Sequence, residues 1–148
     1  MTGGPRLLSQ PLAAWERDGL AAALARAGLP TEDLQEPGRL FWRFERDDVP
    51  IGFGGLEVHG DLALLRSIVT LPPLRNRGFG AAIVTALEAE AWSHGCRTLY
   101  LLTASETAFF AELGYSVCPR EDVPSTIRDS RQFAKLSRTS ATVMVKRL

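Results

Sequence analysis

Between Leu62 and His94 the chain leaves itself little freedom. An apolar run, Leu62 to Leu71, stops at Pro72-Pro73; a basic turn, Leu74-Arg75-Asn76-Arg77, follows; and from Gly78 the residues Phe79, Ile83, Leu87 and Ala91 recur at fourfold spacing up to Gly95. Proline cannot continue a hydrogen-bonded ladder. Fourfold spacing marks one face of a helix, with glycine as its C-terminal stop. A strand therefore enters a glycine-bearing turn that opens onto a helix N-terminus. First-turn amide hydrogens have no intrahelical partners and lie at the positive end of the helix dipole, so such a junction binds phosphate oxygens. Gly78 and Gly80 keep Cβ atoms out of a ligand's approach, while Arg75 and Arg77 add charge. The competing reading is a tight strand-to-helix turn without a ligand.

The flanking sequence places this junction in a mixed sheet. Trp15, Leu20, Leu24 and Ala27 predict a helix stopped by Gly28 and Pro30, and Thr31 is placed to cap a short second helix through Leu34. Leu40 to Glu45 and Ile51 to Val58 form a predicted hairpin about Asp47-Asp48, and His59-Gly60-Asp61 turns into the Leu62 run. Thr98 to Thr103 reads as a buried strand, Ser105 to Leu113 as a short helix ended by Gly114, and Tyr115 to Cys118 as another strand. Pro124 suits the first turn of a helix through about Lys135, and Thr142 to Lys146 closes the chain as a strand. An antiparallel run followed by strand, helix, strand, helix, strand implies an α/β (α+β) mixed sheet, mostly antiparallel, flanked by helices.

A chain of 148 residues, 45% hydrophobic and 23% charged, has room for one core and is expected to be a single domain over residues 1–148. Lys plus Arg (17) balances Asp plus Glu (17), so no overall field exists to hold a nucleic acid or an anionic membrane. Neither is an expected partner. Two cysteines, Cys96 and Cys118, make no disulfide framework, and the N-terminal region lacks a sustained apolar stretch. The expected location is the cytoplasm.

Two nucleotide motifs fail at the central loop. No Gly-Lys-Ser/Thr triplet is present for a Walker loop, and a dinucleotide fingerprint would need glycine where Ile83 stands. The loop does match Arg/Gln-x-x-Gly-x-Gly/Ala, as Arg75-x-x-Gly78-x-Gly80, and Phe109-Phe110-Ala111-Glu112-Leu113-Gly114-Tyr115 matches aromatic-x-x-Leu-Gly-aromatic. With the strand before the loop and the long helix after it, the chain resembles the GCN5-related N-acetyltransferases over essentially its whole length.

That resemblance implies a sheet splayed at an acetyl-CoA site, between the strand ending near Thr70 and the strand Thr98 to Thr103. Ile68, Val69 and Thr70 would lie along the pantetheine, the amides of Arg75, Asn76, Arg77, Gly78, Phe79, Gly80 and Ala81 would hold the pyrophosphate, and Phe109 and Phe110 would pack on the cofactor. An amine would attack the thioester directly, so the protein orients reactants, drains a proton and stabilises the oxyanion. The family's usual tyrosine four residues before the glycine is Phe110 here. The acid for the leaving thiolate is then water, Thr103 or Ser105, or is dispensable. Leu56-Glu57-Val58-His59-Gly60-Asp61, Leu64-Leu65-Arg66-Ser67, the Phe109-Phe110 helix and Ile127-Arg128 through Arg131-Gln132-Phe133 also resemble the small acetyltransferases associated with arsenic-resistance operons. This implies a small, amino-acid-like amine as acceptor and a role in resistance to a toxic amino-acid analogue or an arsenical.

Among single residues, Glu57 shares a strand face with Phe53 and Gly55 and is a candidate base or ammonium anchor, set against an exposed residue near a turn. Arg66 interrupts an apolar run and needs a partner; pairing with Glu57 competes with direct substrate contact, in which Ser67 would join it. Arg128, Arg131 and Lys135 define one face of the expected late helix, either a receptor for an acceptor anion or a solvated surface. His59, the His94-x-Cys96 pair and Cys118 read as structural, and no metal site is expected. Two other functions stay open: a CoA-binding module without catalysis, and a peptide or protein N-acetyltransferase. A homodimer is left open as well.

Overall fold

A computed structural model describes residues 7–29, 31, 34–71, 78–130, 133 and 141–148. Its frame is a seven-stranded sheet in the order β1-β2-β3-β4-β5-β7-β6. The strands are β1 (Leu8–Pro11), β2 (Arg39–Arg46), β3 (Val49–His59), β4 (Leu62–Thr70), β5 (Thr98–Thr103), β6 (Ser116–Val117) and β7 (Thr142–Arg147). All neighbours are antiparallel except β4 and β5. The helices are α1 (Arg17–Arg26), α2 (Phe79–Ser93), α3 (Thr107–Glu112) and α4 (Ser125–Arg128).

Alternation along the strands divides the interior. Leu56, Leu65, Leu99, Leu101 and Met144 face α2, meeting Ile83, Val84, Leu87 and Ala91. The opposite face carries two groups: Phe41 and Val69 against Leu20 and Leu24 of α1, and Leu64, Tyr100 and Val143 against Ile127 of α4. Three glycines of β3 set how closely these layers approach. A Cβ on Gly54 would stand 2.7 Å from Leu87 Cδ1, and one on Gly55 would stand 2.5 and 2.6 Å from Phe41 ring carbons.

Irregularity is concentrated in β4. Phe53 pairs with Val69 and Gly55 with Arg66, so Ser67 and Ile68 stand opposite one residue, and Ser67 takes φ 60°. This is a β-bulge. Because of it Arg66 and Val69 share the α1 face, where strict alternation would separate them. Pairing of β4 with β5 covers only Leu62↔Thr98, Ala63↔Leu99 and Leu64↔Tyr100, whereas β5 stays paired with β7 along its whole length. Beyond Leu64 the two strands part.

Several expectations from the sequence need correction. Trp15 is 80% exposed instead of lying on the buried face of the first helix. The strand β1 was not anticipated, because Leu-Ser-Gln-Pro carries neither alternation nor β-branched residues. The late helix is broken after Arg128: Asp129 turns, and Ser130 Oγ accepts the amide of Phe133, itself helical, at 3.1 Å, as an N-cap does. The expected face of Arg128, Arg131 and Lys135 is therefore interrupted, and its last two members lie outside the described residues. So does most of the short helix expected after Thr31.

The glycine packing yields a paired test. Gly55→Ala should cost about 1–3 kcal/mol, since Phe41 must move to admit the methyl. Gly19→Ala, inside α1 with nothing within 4 Å of the new Cβ, should instead stabilise by about 0.5–1 kcal/mol. Urea titration of both variants measures each, and a Gly55→Ala protein as stable as the parent would contradict the packing.

Candidate active site

Where β4 and β5 part, a cavity of about 760 Å³ opens. Leu65 through Thr70 form one wall and Leu101 to Thr103 the other; Gly78, Gly80 and Ala81 border it at the start of α2, Glu106, Phe109 and Phe110 at α3, and Ala27 and Leu29 beyond α1. Among the described residues no strand pairs with the inner edge of β4 beyond Leu64. Its main-chain groups there are placed as for a further strand.

The start of α2 suits a phosphate. Gly78 is the N-cap with φ 78° and has no side chain with which to cap the first turn, whose amide hydrogens have no intrahelical partners. A Cβ on Gly78 would meet nothing within 4 Å, and one on Gly80 would meet only Phe109, at 3.5 and 3.9 Å. The glycines here leave space toward the cavity, unlike Gly54 and Gly55, which are filled against by side chains. Phe79 turns into the interior at 8% exposure. Arg75, Asn76 and Arg77 lie outside the described residues.

Phe109 and Phe110 meet edge to face, with ring centroids 5.0 Å apart, and Phe110 meets Tyr115 likewise at 5.8 Å. Tyr115 does not replace the missing phenol on the wall. Its hydroxyl donates to Glu88 Oε2 at 2.9 Å, and burial, reinforced by that carboxylate, pushes its pKa well above the ordinary phenol value. Lys146 Nζ donates to the same Glu88 oxygen at 3.0 Å and to the Leu113 carbonyl at 2.8 Å, tying the end of α3 to α2. Of the two hydroxyls considered for the thiolate, Thr103 lines the cavity and its Oγ1 accepts the Glu106 amide at 2.9 Å. Ser105 is exposed and off the wall.

The acceptor-side residues separate in the same way. Arg66 and Ser67 line the cavity, with Arg66 Nε donating to Ser67 Oγ at 3.2 Å. Glu57 shares their face of the sheet but is fully buried and off the wall. Its Oε1 lies 3.6 Å from Arg66 Nη1 and 3.4 Å from Arg39 Nη2, and its Oε2 lies 2.6 Å from His59 Nε2. The Arg66 and Arg17 guanidiniums sit 5.4 and 5.2 Å from the Phe41 ring centroid. Arg128 is exposed on α4, away from the wall, and Arg131 lies outside the described residues. Glu106, Ala27, Leu29, Leu65, Leu101 and Leu102 were not singled out from sequence. The apolar ones look like ordinary core residues until the strands part, and Glu106 like an ordinary residue of a short helix.

Known proteins resemble this arrangement. The sequence pattern of the acetyltransferase (GNAT) family matches residues 7–115. N-alpha-acetyltransferase 80 of Mus musculus is 43% identical over 54 residues, 36% of this chain and 17% of that protein. An uncharacterized N-acetyltransferase of Chlorobaculum tepidum is 33% identical over 88 residues, 59% of this chain and 56% of the relative. The chain thus matches little more than half the length of one curated relative and a smaller part of the other. N-acetylglutamate synthase from Neisseria gonorrhoeae, solved with coenzyme A and N-acetyl-glutamate, superposes with a TM-score of 0.77 at 19% identity, over 99% of this chain and 36% of the synthase. With the splayed sheet, the glycine-bordered start of α2 and a family match over most of its length, the chain belongs to the acetyltransferase (GNAT) family.

Proposed function

We propose that this chain is an acetyl-CoA-dependent N-acetyltransferase that acts on the primary amine of a small, amino-acid-like molecule. The parting of β4 from β5 over a cavity that reaches the glycine N-cap of α2 carries this reading. The fit is chemical as well as spatial: a strand edge that β5 leaves uncovered past Leu64 for the amides of a pantetheine arm, helix amides for a pyrophosphate, and the Phe109-Phe110 pair for apolar contact. Ile68, Val69 and Thr70 hold the arm, and residues Arg75 to Ala81 hold the diphosphate. When bound, acetyl-CoA supplies an acyl group activated as a thioester, which an amine attacks directly.

The chain's own residues then orient and handle protons. The Thr103 hydroxyl accepts the Glu106 amide, which leaves its own proton at Oγ1 for a partner in the cavity. Ser67 on the wall is the acceptor-side contact, and the Arg66 guanidinium behind it, fully buried and held by Glu57, supplies positive charge toward an anionic group of the acceptor. Glu57, enclosed by Arg39, Arg66 and His59, anchors that guanidinium instead of meeting the amine itself. An acetylated amino acid as product is also in keeping with the synthase of the same fold solved with N-acetyl-glutamate. The further likeness to acetyltransferases associated with arsenic-resistance operons suits an amino-acid analogue or arsenical as acceptor and resistance as the role. Residues 1–148 act as one domain in the cytoplasm, alone or as a homodimer. A peptide N-terminus is the second reading, favoured by the likeness to N-alpha-acetyltransferase 80.

Acetyl-CoA should raise the melting temperature. A hundredfold excess over its dissociation constant adds about 2.7 kcal/mol, several degrees for a chain of this size. Gly80→Asp places a carboxylate where the diphosphate approaches and should abolish the rise in a protein whose circular dichroism is unchanged. A full rise in that variant would remove the diphosphate assignment.

Coenzyme A release across amino acids, their carboxamides, polyamines and short peptides separates the acceptor readings. Free amino acids should lead, and Arg66→Gln should raise their KM by about tenfold or more while sparing carboxamides, because only an anion contact is lost. Preferred turnover of peptides would favour the second reading.

A further inference from the structure

We propose that Leu29 and Leu102 are specificity-determining residues: with Val69 they form an apolar subsite that takes an aliphatic side chain of the acceptor amino acid. This rests on the reading of the acceptor as a small, amino-acid-like amine, and within that reading it sets which amino acids the site prefers.

The cavity reaches both faces of the sheet. Ile68, Phe109 and Phe110 pack with the α2 group of the interior, and Gly78 and Gly80 stand at the start of that helix, so this half of the wall is the cofactor's. Glu106 belongs with it. It directly precedes α3, the helix that carries Phe109 and Phe110, and its amide is held by Thr103, which alternates along β5 with Leu99 and Leu101 of the α2 face. The opposite half is lined by members of both apolar groups on the other face: Leu29 and Val69 from the group packed on α1, and Leu102 from the group packed on α4. An acceptor on this face has the gap between β4 and β5 before it and the cofactor half beyond.

Local chemistry fixes the two leucines. Gly28, at φ 73°, ends α1, and the Gly28 and Leu29 amides donate to the Ala25 and Leu24 carbonyls at 3.1 and 2.9 Å. This is a Schellman turn, in which the residue after the glycine folds back on the last turn of the helix, and Leu29 packs on the group that holds Leu24. Leu102 stands opposite Val143 of β7, past Tyr100, the last residue of β5 that pairs with β4. Cross-strand neighbours share a face, and both belong to the α4 group. Leu29 and Leu102 are each only half-buried. Each seals a core group with one side and gives the other to the cavity.

The polar groups on this half suit the rest of an amino acid. Ser67 lies on the wall, and the Arg66 guanidinium, buried behind it, places positive charge on the side of a carboxylate. Among the described residues no acidic or amide side chain lines this half. With the one positive charge answered by the acceptor's carboxylate, a second charge or an amide on the acceptor side chain would lose water without a partner. An aliphatic chain gains by leaving water.

The test measures coenzyme A release from acetyl-CoA with leucine, methionine, alanine, glutamate and lysine. Leucine and methionine should exceed alanine by about tenfold or more in kcat/KM, the scale of a methylene or two in an apolar pocket, and glutamate and lysine should fall below alanine. Leu29→Ala and Leu102→Ala should each cut the leucine-to-alanine ratio by about fivefold or more. Leu29→Val and Leu102→Val, which disturb the core less, should shift it in the same direction, and Leu102→Met, which keeps the apolar volume, should preserve it. A retained acetyl-CoA melting shift in each variant shows the fold and cofactor half intact. A ratio near one in the wild type, with amino acids still turned over, overturns the subsite and leaves the amino-acid reading standing. Release with none of these acceptors overturns both. An unchanged ratio in the alanine and valine variants overturns the roles of Leu29 and Leu102. So does a change confined to the preference between acetyl- and propionyl-CoA, since these side chains would then meet the acyl group.

Discussion

The whole site depends on β4 leaving β5 after three paired residues. Parallel strands joined by a helix would ordinarily continue side by side. Here β5 keeps its partner β7 from Thr98↔Arg147 to Thr103↔Thr142, and β4 keeps β3 on its other side, so the sheet divides along one line. The bulge at Ser67 marks the place. It lengthens β4 by a residue relative to β3 and holds a non-glycine at φ 60°, a conformation that costs about 1–3 kcal/mol. Among the described residues no strand pairs with that edge past Leu64, where a ligand with amide groups is suited to lie.

Holding the gap open requires that both sides be secured independently. On the β4 side, Ile83 and Leu87 of α2 seat over Gly54, where a Cβ would crowd their side chains. On the β5 side, α3 is too short for its own hydrogen bonding to fix it. Its fastening comes from Glu88, which receives both Tyr115 and Lys146 while Lys146 also satisfies the Leu113 carbonyl at the end of the helix. One carboxylate of α2 thereby links the helix that borders the cavity at Gly80 to the helix carrying Phe109 and Phe110. Burial of Tyr115 beside that carboxylate keeps the phenol protonated as the donor this link needs.

The legible part of this structure follows from local chemistry. Proline after Leu71, glycine at 78 and 95, and spacing from Phe79 to Ala91 announce the β4-α2 unit, because each acts on its own few residues. The parting of the strands had no such signal; it came from the resemblance of Arg75-x-x-Gly78-x-Gly80 to a known family. Strand alternation correctly placed Glu57 on the face of Gly55 and Phe53, yet it cannot tell a cavity wall from a sealed interior on that face. Burial by Arg39, which alternation treats as an outlying polar residue of β2, decides the matter. Similarly, nothing local distinguishes an unbroken helix through Lys135 from one interrupted after Arg128, since the break depends on whether the Ser130 hydroxyl takes the Phe133 amide.

Replacement of the family's tyrosine by Phe110 also becomes intelligible in these terms. Phe110 lies between Phe109 and Tyr115 in successive edge-to-face contacts, so the Tyr115 phenol sits one ring farther from the cavity and is engaged by Glu88. A second hydroxyl at position 110 would need its own partner on a wall formed there by aromatic and aliphatic groups. Thiolate leaves readily enough near neutral pH that a strong, dedicated acid is not required of such a wall. The aromatic pair instead favours a dry approach along β5, where the Thr103 Oγ1 proton is the hydroxyl proton on that wall. Phenylalanine in place of the tyrosine thus shifts the balance of this wall from a hydroxyl toward aromatic packing.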